Sequence, residues 1–342
     1  MSRGAQFLVT GGTGFIGRFV VRALLKEGSQ VRVLCRDEAK ARRLFGEAVN
    51  TVRGDLLNAA DCQNACRGVE TVIHLGGVYR FGRRYRSLLE ATNRLGTENV
   101  LQAACDNRIE RIVHISSASV LNSRSGPITE SDFPGDVPRA QSYRHSKWLG
   151  ECVALDWARR GLPVMIASPT APIGPEDEAP TPTGAMVLDF LQGRFPFSAH
   201  TMLNILNVAD LAEGIVTVAR RGQAGQRYLL GHYDLSLSEF LSELAQCSGR
   251  KSPRVCLPWG IVAVAGMIGE ASGSNRVCLE TAAHARKRAV YSCRKAAADL
   301  GWQPTRPLQQ TVSEAVAWFR QSRTSPGLIN PELSVRTNVA DS

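Results

Sequence analysis

The chain has 342 residues, 44% of them hydrophobic and 21% charged, an ordinary globular composition that excludes a disordered or fibrous protein. Its formal net charge of +10 calls for an acidic partner, yet Arg42-Arg43, Arg83-Arg84 and Arg159-Arg160 are dispersed pairs without an aromatic-rich basic motif. That argues against a nucleic-acid module and leaves a phosphorylated cofactor as the simpler partner. The 9 cysteines show no Cys-x-x-Cys pair, so no metal is expected, and with no cleavable leader before the first apolar run they suit reduced thiols in a cytoplasmic protein.

Residues 6–10 read as the first apolar strand, and the run Val9-Thr10-Gly11-Gly12-Thr13-Gly14-Phe15-Ile16-Gly17 leads from it into a helix over 16–27. Gly11, Gly14 and Gly17 allow a tight turn, a close approach of pyrophosphate to the backbone, and close packing of helix on strand; the helix N-terminus adds partial positive charge. The spacing is Gly-x-x-Gly-x-x-Gly, so the strand, loop and helix context carries the assignment. A second strand, 31–35, ends at Arg36-Asp37. An acidic residue there would hold the 2′-hydroxyl of NAD, whereas an arginine can pair with the 2′-phosphate of NADP. Arg36 therefore favours NADP(H), and Asp37 keeps NAD(H) open.

Further strands are expected over 51–53, 71–75, 111–116 and 164–167, alternating with helices that include 88–107 and 143–160. This alternation predicts an α/β fold with a doubly wound parallel sheet. The carboxyl ends of such strands line the ligand crevice, and Ser116-Ser117-Ala118-Ser119 lies at one of them. Tyr143 and Lys147, four apart, share one helix face. A free phenol titrates near pH ~10, so a neighbouring ammonium would draw Tyr143 toward acid/base range; the same spacing also occurs on ordinary amphipathic helices.

After Pro169 the crowded Pro172, Pro175, Pro180 and Pro182 mark a lobe boundary or a long site-forming loop. A helix over 208–218 and a strand over 226–230 return the chain to the first lobe. The expected division is a dinucleotide-binding domain of 1–170 with 208–236, and a smaller, discontinuous C-terminal substrate lobe of 171–207 with 237–320. The apolar run 259–268 is too short to span a bilayer and reads as a buried helix, with a greasy wall beside the substrate as the sharper alternative. The tail, 321–342, lacks periodicity and is expected to fray.

The order of glycine loop, serine strand and Tyr143/Lys147 helix resembles the extended short-chain dehydrogenase/reductase family, part of the NAD-dependent epimerase/dehydratase superfamily, over about residues 6–320. Gly54-Asp55, His74-Leu75-Gly76-Gly77, Asn93 with Gly96-Thr97, and Ser168-Pro169-Thr170 belong to the same resemblance. Val31-Arg32-Val33-Leu34-Cys35-Arg36, Gly161-Leu162-Pro163-Val164 and Pro180-Thr181-Pro182-Thr183-Gly184 are most similar to the hopanoid-associated sugar epimerase and dihydroflavonol-reductase-like branch. The resemblance implies a Rossmann fold, Ser117 as the substrate-orienting hydroxyl with Ser116 as its neighbouring candidate, and Tyr143 as general acid/base. Lys147 would hold the nicotinamide ribose and tune Tyr143. Gly11, Gly14, Phe15, Ile16, Gly17, Pro169 and Thr170 would touch the cofactor, Asp55 and Leu56 would border the adenine, and Leu75 with Gly76 the dinucleotide backbone. Paired long helices, here 88–107 and 143–160, suggest a homodimer by the same analogy.

Departures from the family pattern narrow the reaction. Related 4,6-dehydratases place an Asp-Glu pair after the central Ser/Thr, where this chain has Ala118 and Ser119. Nucleotide-sugar epimerases commonly carry an arginine shortly before a Val-x-Asp segment, where this chain has Leu203-Asn204-Ile205-Leu206-Asn207-Val208-Ala209-Asp210. Val-Tyr-Gly is replaced by Val120-Leu121-Asn122. With the apolar run 259–268, these point to an NADP(H)-dependent oxidoreductase that reduces a ketone or aldehyde, or oxidises the matching alcohol. The alternative is a sugar or nucleotide-sugar epimerase with tightly bound NAD(P), in which Arg194 or Arg276 supplies the missing cation. A non-catalytic dinucleotide sensor would not need Ser117, Tyr143 and Lys147.

Overall fold

Continuous apolar runs mark strands that are covered on both faces, and the first strand, β1 (Phe7–Thr10), is buried throughout. The computed structural model describes residues 6–123, 125–195, 197–271 and 289–324. After β1 come α1 (Phe15–Lys26), β2 (Val31–Cys35), α2 (Glu38–Phe45), β3 (Val49–Arg53), α3 (Ala59–Cys66) and β4 (Thr71–His74). Next are α4 (Arg86–Glu90), α5 (Gly96–Asp106), β5 (Arg111–Ile115), α6 (Ser142–Arg159), β6 (Val164–Pro169) and β7 (Ala171–Ile173). Then follow α7 (Pro182–Leu191), β8 (Ser198–Ala199), β9 (Met202–Asn207), α8 (Val208–Arg221), β10 (Arg227–Leu230) and β11 (Tyr233–Ser236). The last are α9 (Leu237–Ser248), β12 (Cys256–Leu257), α10 (Trp259–Ala271), α11 (Arg294–Leu300) and α12 (Leu308–Thr324).

The main sheet has seven strands in the order β10-β6-β5-β4-β1-β2-β3, every pair parallel. It is the doubly wound α/β sheet expected from the sequence. Successive side chains alternate between two cores: Phe7 and Val9 join Val20, Leu24 and Ile215 on one face, while Leu8 joins Val72, Leu101 and Val164 on the other. The chain reverses its winding direction between β1 and β4, which opens a crevice at the carboxyl ends of the strands. β11 lies antiparallel to β9, and β7 parallel to it, in a separate three-stranded sheet. Its core is filled from α7, α9 and α12 by Leu188, Phe240, Leu244 and Phe319.

Three local expectations need correction. The helix expected over 88–107 is interrupted: α4 starts at Arg86, and a π turn, Ala91–Leu95, joins it to α5. Such π segments are rare and frequent at functional sites, and Asn93 sits inside this one. The run 259–268 does form a helix, α10, but it is not buried: Ile261, Val264 and Ile268 are exposed. Helical periodicity cannot register whether a neighbour exists to cover an apolar surface. Residues 321–324, expected to fray, continue α12, and the rest of the tail lies outside the described residues, as do Arg276 and Cys278. The other eight cysteines are free, and no cluster of metal-ligating side chains exists among the described residues.

Candidate active site

The glycine loop is built by close approaches that only glycine allows. Gly11 adopts φ +70°, and a Cβ there would lie 2.8 Å from the Gly76 nitrogen. A Cβ on Gly17 would lie 2.1 Å from the Gly11 carbonyl oxygen, so its absence lets α1 close against the loop. No side chain caps α1 at Gly14, leaving the first-turn amides of Phe15, Ile16 and Gly17 directed at the crevice, where an uncapped helix end favours an anion. This backbone cradle fits a dinucleotide pyrophosphate. Across it, the Leu75 amide donates to the Thr10 carbonyl (3.2 Å) and the Gly76 amide to the Thr10 hydroxyl (3.0 Å). Leu56 packs so close to Gly76 that a Cβ there would be 2.4 Å from its methyl carbon, and the Asp55 amide is fixed by Asp61 (2.8 Å).

At the end of β2 the two candidates for cofactor choice part company. The Asp37 carboxylate caps α2 by accepting from the Lys40 amide (2.9 Å), whereas the Arg36 side chain is exposed at the crevice edge with no partner among the described residues. At the end of β6, the Thr170 amide donates to the Leu230 carbonyl (3.0 Å), tying Pro169-Thr170 to β10.

The two serines after β5 also differ. The Ser116 hydroxyl donates to the buried Glu151 carboxylate (2.5 Å), which Arg227 pairs from the other side. Burial pushes the Glu151 pKa up, and Arg227 and the Ser116 hydroxyl pull it back. Ser117 stays local, its hydroxyl bonded to Ser119 Oγ (2.9 Å) at the start of the turn Ala118–Val120. On α6, Tyr143 is buried against Tyr79 and Phe81, with ring centroids 4.4 and 5.6 Å away. Lys147 Nζ donates to the Ile115 carbonyl (2.6 Å), directly before the serines. Burial lowers the Lys147 pKa to about 8 against the opposing pull of Glu151.

Several residues to which the sequence reading gave no role hold this arrangement; His74, Asn93 and Thr97 stood there only within the family resemblance. Arg144 donates from Nε to the Ser119 carbonyl (2.7 Å) and from Nη2 to the Val120 carbonyl (3.0 Å), locking the serine turn to the start of α6. Asn93 bonds both ways with Val78 and donates to Ser146 Oγ (2.9 Å), whose hydroxyl donates to the Tyr143 carbonyl (2.8 Å). Thr97 donates its hydroxyl proton to the Asn93 carbonyl, so His74 Nε2 must be the donor to Thr97 (3.1 Å) and Nδ1 the acceptor from Thr10 (2.7 Å). That tautomer is neutral, in keeping with a His74 pKa lowered to about 3 by burial and the Lys147 charge. Arg18, only 2% exposed, donates to Glu176 (3.2 Å) and Glu178 (2.9 Å) and to the Gly14 carbonyl (3.3 Å), fastening the proline-rich segment over the glycine loop.

On the side of the smaller sheet, Asn204 donates to Asp234 (2.9 Å), and Asn207 caps α8 while donating to Glu314 (3.0 Å). Buried Asp210 is paired by Arg306 (2.5 Å). Arg194 is an exposed side chain beside Asp189. Arg80, half-buried between Tyr79 and Phe81 in sequence, interacts with the charge of Asp177, whose own pKa burial raises to about 7.

Residues 7–231 match the NAD dependent epimerase/dehydratase family. A putative dihydroflavonol 4-reductase of Synechocystis is 33% identical, the alignment covering 92% of this chain and 94% of that protein. Among solved structures, a nucleoside-diphosphate-sugar epimerase from Pseudomonas aeruginosa superposes with TM-score 0.80 at 25% identity, covering 95% of this chain and 99% of that one. The dTDP-glucose 4,6-dehydratase DesIV of Streptomyces venezuelae, solved with NAD bound, superposes with TM-score 0.75 at 25% identity, covering 93% of this chain and 98% of that one.

Proposed function

The chain belongs to the NAD dependent epimerase/dehydratase family, an extended short-chain dehydrogenase/reductase using a pyridine nucleotide, and from that premise we propose an NADP(H)-dependent reductase of a rather apolar ketone or aldehyde. The observation that carries this reading is the aromatic enclosure of Tyr143 by Tyr79 and Phe81, together with Asn204 and Asn207, which stand where related epimerases carry an arginine and whose amides are committed to structural bonds. A substrate pyrophosphate would need cations there. The dinucleotide would rest on the loop from Gly11 to Gly17, with Arg36 at its 2′-phosphate and Leu56, Leu75, Gly76, Pro169 and Thr170 along its length. When bound and reduced, it supplies the hydride.

In this reading Ser117 holds the carbonyl oxygen, and Tyr143 gives that oxygen a proton as the carbon becomes an alcohol. The Lys147 ammonium, one helical turn away, stabilises the phenolate left on Tyr143. Ser116 is set aside from the chemistry by its bond to Glu151. Residues 1–170 with 208–236 serve the cofactor, 171–207 with 237–320 serve the substrate, and the helical segments 88–107 and 143–160 form the contact of a homodimer.

The second reading is a nucleotide-sugar epimerase, favoured by the likeness to the Pseudomonas aeruginosa structure and by Arg80, a cation beside the aromatic cluster. One pair of measurements separates them: NADPH consumption with a panel of ketones and aldehydes, and calorimetric titration with UDP and other nucleotides. Net NADPH oxidation without nucleotide binding is expected. Tight nucleotide binding with sugar epimer interconversion and no net cofactor consumption would replace the reductase by the epimerase.

A further inference from the structure

α10 presents an apolar stripe that the main sheet does not use. Ile261, Val264, Ala265 and Ile268 stand at i, i+3, i+4 and i+7, so they share one face, and Ile261, Val264 and Ile268 are 53%, 51% and 66% exposed. Trp259 at the start of the helix and Met267 near its end are 46% and 52% exposed. The patch does not stop with the helix. The Ser198 amide donates to the Val255 carbonyl (2.8 Å), and this short β8–β12 pairing carries exposed Phe197 and Val255 toward the same end. Single exposed apolar side chains are commonplace, but a contiguous set marks a surface made to be covered.

Charge indicates what covers it. Arg250, Lys251 and Arg254 precede the helix, all exposed and none paired with a carboxylate among the described residues. Between Gly249 and Gly269 the sequence holds no Asp or Glu. A second copy would bring a patch of the same sign, whereas anionic headgroups neutralise it. Trp259 lies between the cations and the apolar stripe, the level at which tryptophan settles between headgroups and acyl chains. With 13 residues the helix is about 20 Å long against a bilayer core of about 30 Å, so it suits lying in the interface rather than crossing it. No described helix is long and apolar enough to cross a membrane.

We propose that the exposed face of α10, with Arg250, Lys251 and Arg254, docks the protein peripherally on an anionic lipid bilayer. The proposal stands apart from the reaction assigned above. Its test is flotation of the full chain with phosphatidylcholine vesicles and with vesicles of phosphatidylcholine and phosphatidylglycerol. The protein is expected to float only with the anionic vesicles and to be released at high salt. The triple change Arg250→Gln, Lys251→Gln, Arg254→Gln should lower partitioning by about a hundredfold. Ile261→Ser with Ile268→Ser should abolish it, and NADPH titration and melting temperature should remain as in the wild type. Wild-type protein that stays below the anionic vesicles overturns the proposal. So does a concentration-dependent dimer that Ile261→Ser with Ile268→Ser dissolves, since that gives the face to a second copy.

Discussion

At the residue scale, the lowered pKa of Lys147 has the clearest consequence. With that value near 8, the ammonium is present below it and lost as the pH rises through it. The reduction rate should therefore fall on the alkaline side of about pH 8, and Lys147→Arg, whose guanidinium keeps its charge, should lose that decline. A pH profile of unchanged shape in the arginine variant would assign the limb to another group. Tyr143→Phe keeps the ring against Tyr79 and deletes only the hydroxyl, so turnover should collapse while NADPH binding and melting temperature hold. Near-wild-type turnover would remove Tyr143 from the chemistry. Arg36→Ala should weaken NADPH binding by about 1.5–3 kcal/mol, the value of a charged hydrogen bond, and leave NADH nearly unaffected; equal titrations of both proteins with NADPH would end that role. The glycines, Tyr143 and Lys147 were legible in the sequence because each signal is local. Arg18 and Glu151 were not, because their partners Glu176 and Arg227 lie far along the chain, and a lone charge on a helix reads as a solvated one.

At the scale of elements, the site depends on how closely α6 approaches the π turn between α4 and α5. A Cβ on Gly150 would lie 2.2 Å from the Asn93 carbonyl oxygen, a backbone atom that cannot move aside without disturbing the bonds Asn93 makes to Val78 and Ser146. Gly150→Ala should cost about 1–3 kcal/mol by overpacking, measured by urea denaturation. Gly135→Ala, where a Cβ meets nothing within 4 Å, is the control and should leave the midpoint in place. Equal stability of the two variants would mean that α6 can slide. The seven strands of the main sheet and α1 were readable from apolar runs, and β2 matches its expected bounds, whereas the short strands of the smaller sheets were not anticipated. The π turn was not readable, since the Gly150 backbone it packs against lies far along the chain and an uninterrupted helical pattern runs through it. The exposure of α10 was hidden for the converse reason: a missing neighbour leaves no trace in the residues it would have covered.

For the molecule as a whole, the seven-stranded and three-stranded sheets are joined by more than a linker. Asp210 on α8 is held by Arg306 from the chain leading into α12, and Ala296, Leu300 and Trp302 fill the core beside Tyr228 and Ile215. Trp302 approaches α8 so closely that a Cβ on Gly214 would lie 2.8 Å from its ring. A protein is made from its N-terminus, and that order matters here. At ribosomal speeds of about 5–20 residues per second, the roughly seventy residues between β10 and Trp302 take about 4–14 s to emerge. During that interval the large sheet can pair all its strands, yet one flank of its core stays open to water. A fragment of residues 1–231, the span that carries the family match, should reproduce that half-finished state by binding a hydrophobic dye such as ANS and melting without a sharp transition, unlike the full chain. A cooperative, dye-free fragment would mean that the flank closes without its late-arriving tryptophan.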